Sequence, residues 1–118
     1  MAEGEWDWAG VRCHALQPRD LRALDVPGLY GLVRRGPCGE RTLLFVGHGE
    51  RLSEAAAHDP WTWTEARRLG FNEVHVRLQA RARIDRLQLV AHVVRRAGPV
   101  LNVLEAAAPP PAPARRVG

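Results

Sequence analysis

The chain offers one tyrosine, five histidines and four tryptophans as the side chains best suited to chemistry or recognition. Tyr30 carries a phenolic hydroxyl that can take part in proton transfer, or it is simply a half-buried aromatic of a hairpin. His48 and His58 flank the segment ERLSEAAA. Imidazole titrates close to neutrality, so either can act as a general base or donate to a phosphate; the alternative is a pair of solvated loop and helix-end side chains. Trp61 and Trp63 precede Arg67 and Arg68. Aromatic rings with guanidiniums just after them can stack on unpaired bases and hold phosphates. The same indoles serve equally to pin a helix to its domain or to a protein partner. Arg77, Arg81, Arg83 and Arg86 read either as the solvated end of a strand and start of a helix or as a phosphate-contacting patch. His75 and His92 lack a third ligand, and Cys13 and Cys38 fall in no cluster with zinc-ligand spacing. No metal site is therefore expected, and both cysteines read as reduced thiols. Trp6 and Trp8 form a partner-binding segment or cover a core edge.

These residues must be positioned by what a chain of 118 residues can build, which is one domain with tails. A content of 46% hydrophobic and 25% charged residues is ordinary for a globular protein, and no apolar run approaches the roughly 20 residues of a membrane span. The acidic, aromatic start lacks the basic and apolar stretches of a secretory signal, so a cytoplasmic location is expected. The net charge of +4 favours polyanionic partners, although all 17 basic residues are arginine, which reflects coding bias as much as a selected surface. Arginine's planar fork does suit phosphate.

QPRDLRAL, residues 17 to 24, places Pro18 at a first-turn position and predicts one or two helical turns within an extension over residues 1–26. LYGLVRR (29–35) and TLLFV (42–46) read as two strands joined by GPCGE, a β-hairpin. ERLSEAAA predicts a short helix. Thr62-Trp63-Thr64-Glu65 has the form of a capping box, Gly70 stands at a helix end, and a helix over about 63–69 follows. FNEVHVRL (71–78) alternates like a half-buried strand with its apolar face on Val74, Val76 and Leu78. From Ala82 to Arg96, Ile84, Leu87, Val90, Ala91 and Val94 recur at helical steps and predict an amphipathic helix, stopped by Gly98-Pro99. The tail over residues 105–118, rich in alanine and proline, is expected to be disordered or extended.

This order of hairpin, helix, helix, strand and long helix resembles the GIY-YIG nuclease superfamily over about two thirds of the chain. Gly28-Leu29-Tyr30 resembles the GIY tripeptide, Phe45-Val46-Gly47 resembles YIG, Leu52 resembles a leucine of the first helix, and Pro99 with Asn102 resembles the closing P-x-x-N. Gly70-Phe71, leading into Val74-His75-Val76, is similar to the approach to the third strand. The resemblance implies a small α+β domain over residues 27–104 with a three-stranded, mostly antiparallel sheet flanked by helices. It also implies a water-activating tyrosine at Tyr30, a phosphate-contacting tyrosine and arginine, and a glutamate that binds a divalent metal. The chain departs from that pattern: Phe45 stands for the second tyrosine, the arginine's place falls at or near Ala55, and the glutamate's place falls at Val90. An isopropyl group offers no oxygen to Mg²⁺. Asp85 and Glu105 are the replacement carboxylates to consider, but Asp85 points to another side of the helix. Val90, on the apolar face with Leu87 and Val94, makes the cleft read as partly converted into core.

The function expected is a catalytically inactive or impaired nuclease homologue that binds nucleic acid or a protein partner, with no resident cofactor. Its nucleic-acid-binding set is Arg51, Trp61, Trp63, Arg67, Arg68 and Asn102. One alternative is a divergent endonuclease using Tyr30 with His48 or His58, for which Mg²⁺ would be needed. Another is an oligomerisation protein that uses its tryptophans.

Overall fold

The computed structural model describes residues 4–78 and 82–102. The expectations for the tail over 105–118 and for Arg81 lie outside the described residues. Two strands, β1 (Glu5–Trp8) and β2 (Val11–Leu16), precede a 3-10 helix over Pro18–Ala23. The hairpin β3 (Gly28–Arg35) and β4 (Arg41–Gly49) follows, then a 3-10 turn Leu52–Glu54 running into α1 (Ala55–His58). After that come α2 (Pro60–Arg68), β5 (Glu73–Leu78) and α3 (Arg83–Ala97).

The fold is α+β, with one five-stranded sheet in the order β1-β2-β5-β3-β4 and every neighbouring pair antiparallel. The three strands expected over residues 27–104 are present as β3, β4 and β5, but the three-stranded sheet is corrected to five. The segment read as an extension with a short helix supplies the other two strands. β2 pairs with β5 through His14↔Val76 and Leu16↔Val74, and its alternate residues Val11, Cys13 and Ala15 are buried. The turn between β1 and β2 places Ala9 at φ 55° and Gly10 at φ 89°, the mirror-image turn that suits a two-residue hairpin. Asp7 Oδ1 accepts from Gly10 N–H at 2.6 Å. Ala-Gly is a weaker turn signal than Asn-Gly, and small residues at 13 and 15 blunt the alternation, so this hairpin was hard to read from sequence.

Two apolar clusters line the sheet. One joins Tyr30, Leu32, Leu44, Val74 and Val76 to Leu52 and Trp63 of the first helical segments and to Leu101. The other joins Val11, Cys13, Val33, Leu43 and Val46 to α3 through Val93, with Leu89, Val90 and Val94 packed against it. Both cysteines are free thiols, and burial pushes the Cys13 thiol up to about 11.

Two faces differ from their sequence readings. β5 buries Val74 and Val76 as expected, but Glu73 and His75 on its other face are buried too. Arg41 Nε donates to Glu73 Oε1 at 2.6 Å, His75 Nε2 stands 2.7 Å from the same oxygen, and Trp8 Nε1 donates to His75 Nδ1 at 2.9 Å. The arginine also lies 4.5 Å over the Trp6 ring. Polar residues are thus buried because each has a partner supplied by the first hairpin and β4. In α3 the inward face centres on Arg86, Leu89 and Val93, a rotation from the expected stripe: Val90 and Val94 still pack against the core, whereas Ile84 is 58% and Leu87 37% exposed. The rotation follows from Arg86, whose buried guanidinium is held by Glu50, and from His92, whose Nε2 bonds the Ala9 carbonyl at 2.8 Å.

α2 begins earlier than the capping box predicted. Pro60 opens it and Asp59 Oδ1 accepts from Thr62 N–H at 3.3 Å, so aspartate rather than Thr62 caps the helix. Gly70, at φ 93°, ends it as expected.

Candidate functional site

The β3–β4 register sets Tyr30 opposite Gly47 and Leu29 opposite His48. A Cβ on residue 47 would lie 2.8 Å from both the Tyr30 hydroxyl and its Cζ, so only glycine lets the end of that ring sit across the strand pair. The Tyr30 ring is buried, with Phe45 at 6.0 Å and Trp63 at 5.9 Å between centroids. Gly28 is similarly constrained, since a Cβ there would meet the Arg77 carbonyl at 2.6 Å.

A cleft of about 260 Å³ opens beside Tyr30, with His48, Arg51, His58 and Asn102 on its walls. Five of the sequence-predicted site residues are therefore brought to one place. Phe45, Ala55 and Val90 line it as well. Val90 is half-buried, lines the cleft and also packs against the second apolar cluster.

The cleft's polar groups are largely engaged. Arg51 donates through Nε and Nη2 to Asp25 Oδ1 and Oδ2 at 2.6 and 2.8 Å, and its Nη1 lies 3.6 Å from Glu54. The Arg51 hydrogen bond holds the Asp25 carboxyl below its usual range, and the Asp25 carboxylate raises Arg51 in turn. His58 is exposed, 3.6 Å from Glu54. His48 is half-buried with no hydrogen-bond partner on Nδ1, and burial, helped by Arg86 and Arg83, holds it below the usual 6.5. It is a neutral imidazole able to accept a proton. Asn102 donates to the Val46 carbonyl at 3.0 Å and accepts from the Val46 N–H at 2.8 Å. Its amide thereby closes the open edge of β4, a structural task that leaves little for a ligand.

Mg²⁺, the ion that the GIY-YIG resemblance implies, needs several oxygen ligands. Around this cleft Val90 offers none, Asp59 caps α2, and Asp25 and Glu54 face Arg51. Asp85 lines a different cavity beside Ala9 and His92, and Glu105 lies outside the described residues. Among the described residues no group of three or more His, Cys, Asp or Glu is arranged to hold a metal. The donor set does not fit a hard divalent cation. His75 and His92 have separate partners and are not joined.

The tryptophan and arginine strip of α2 is divided rather than gathered. Trp63 is buried against Phe71, their rings 5.4 Å apart edge to face, while Trp61 is 49% exposed. Neighbours two apart on a helix do not share a face. Arg68 pairs with Glu65 at 3.5 Å, and Arg67 turns to a second groove that also holds Arg19 and Arg22. Sequence reasoning missed those two arginines. Their signal was the i, i+3 spacing in PRDLR, which aligns side chains along one edge of a 3-10 helix.

A scan against protein-family models, a search of curated proteins and a search of solved structures each return no match for the chain. No helix among the described residues is long and apolar enough to cross a membrane.

Proposed function

We propose that the chain is a degenerate GIY-YIG-like domain that has lost or nearly lost nuclease chemistry and acts as a nucleic-acid-binding module. The observation that carries this reading is the cleft, where Tyr30, His48 and Arg51 surround Val90 instead of a carboxylate. The sheet order β5-β3-β4, with α1 and α2 between the hairpin and β5, supports the frame. His48 Nδ1 has no hydrogen-bond partner, so hydrogen bonding to a phosphate or base survives at the imidazole where metal-assisted hydrolysis does not. The net charge of +4 adds counterion release to the binding.

The experiment is incubation of labelled DNA and RNA with Mg²⁺ or Mn²⁺, for the wild type and Tyr30→Phe. Retarded but intact strands support the reading. Cleavage that disappears in Tyr30→Phe would replace it with the divergent endonuclease that uses Tyr30 and His48 or His58. A second reading, a protein partner, is favoured by the exposed Ile84 and Leu87 of α3, and a self-associating form would appear in the mass in solution.

A further inference from the structure

Away from the cleft, on the other side of the turn that carries Leu52–His58, lies a groove of about 430 Å³. Arg51, Ala55 and His58 line the cleft, whereas Ser53 and Ala56 of the same segment line the groove. Its floor is Leu21, Trp63 and Phe71, and its rim is Arg19, Arg22 and Arg67, with no carboxylate lining it among the described residues.

The rim arginines lack the charge compensation that several other arginines have. Arg12, Arg41, Arg51, Arg68 and Arg86 each pair with a carboxylate. No carboxylate of the described residues pairs with Arg19, Arg22 or Arg67, and all three are exposed. Three like charges held around one concavity repel one another and are relieved by an anion. Guanidinium binds phosphate oxygens through paired N–H donors, so a phosphate is the anion these residues suit best. The apolar and aromatic floor then calls for a compact, flat, weakly polar portion attached to that phosphate. The volume is in the range of small-ligand sites, roughly 300–1,000 Å³.

We propose that this groove is a binding site for the phosphate-bearing end of a nucleotide, with Arg19, Arg22 and Arg67 on the phosphate and the Leu21–Trp63–Phe71 floor under the base or sugar. The site uses none of the cleft's residues and does not depend on the GIY-YIG reading. A free mononucleotide and the phosphorylated end of a strand share the chemistry.

The test is calorimetric titration of the full chain with AMP as the probe, alongside adenosine, inorganic phosphate and hexyl phosphate. AMP should bind at least about tenfold tighter than adenosine, the scale of losing charge-assisted hydrogen bonds. It should also bind more tightly than either phosphate or hexyl phosphate. Arg22→Ala with Arg67→Ala should weaken AMP by about tenfold or more with an unchanged circular dichroism spectrum. Single Arg19→Gln, at an exposed position, provides a second, milder variant with a loss in the same direction. Arg12→Ala, outside both cavities, should leave AMP binding unchanged. A 5′-phosphorylated oligonucleotide competing with AMP marks the strand end as the source, and failure to compete marks the free nucleotide. The proposal is overturned if AMP binds no tighter than phosphate or hexyl phosphate, if the groove variants bind AMP as the wild type does, or if Arg12→Ala weakens AMP as much as they do.

Discussion

The cleft and the groove share a wall but treat charge in opposite ways. In the cleft the guanidinium of Arg51 is held by Asp25 and Glu54, and His48 is kept neutral by burial and nearby arginines. In the groove three guanidiniums, with no carboxylate partner among the described residues, stand over an apolar floor. An ion pair that satisfies an arginine's fork also removes it from the pool available to a phosphate. The two proposed sites therefore rest on different groups: the cleft on an unpartnered imidazole nitrogen, the groove on arginines that no carboxylate of the described residues pairs with.

The largest expected effect tests the shared wall. Trp63 packs on Tyr30 of the cleft and forms the floor of the groove. Trp63→Ala should lower stability by roughly 3–5 kcal/mol and deform both cavities, as urea unfolding would record. A change below about 1 kcal/mol would mean that the two cavities are independent. Next in size is Asn102→Ala, which leaves the buried Val46 N–H and C=O without their side-chain partner. The expected loss is about 1–3 kcal/mol in the same measurement, and it should disturb the cleft but not AMP binding in the groove.

Acid should separate the regions further. His75 and His48 are both lowered, His75 chiefly by burial, partly opposed by its hydrogen bond to Glu73. Each contributes stability that is fully present above the ordinary value of 6.5 and is lost as pH falls through the folded value. Protonation of His75 at Nδ1 would also remove the acceptor of the Trp8 N–H. Melting temperature should thus decline from pH 7.5 to pH 5.5 through His75 and His48, with no titratable histidine lining the groove. His75→Gln should flatten that slope. Smallest of all, Asp25→Asn should release Arg51 and raise the affinity of the cleft for single-stranded oligonucleotide by a few-fold, with almost no change in stability because the pair is exposed.

Much of this was legible from the residues. The β3–β4 hairpin, β5, the short helix after Gly49 and the Gly98 stop of α3 follow from strong local signals of turn chemistry, alternation and helix termination. Tyr30, His48, Arg51 and His58 meet in one cleft because each sits near the end of one of those elements. The first hairpin was hidden by its Ala-Gly turn and small inward residues. The rotated face of α3 was hidden because a buried arginine, paired with Glu50 far along the chain, outweighed an apolar stripe. Glu73 and His75 read as a solvent face for the same reason. Their partners Arg41 and Trp8 come from other strands, and periodicity within one element carries no information about them.

The account stands most directly on whether the protein holds nucleic acid without cutting it. Labelled single-stranded and duplex DNA and RNA would be titrated at two salt concentrations with and without Mg²⁺, and strand integrity read from the same samples. The predicted result is binding that weakens as salt rises, with every strand intact. Mg²⁺-dependent cleavage abolished by Tyr30→Phe, or no binding at either salt concentration, would contradict it.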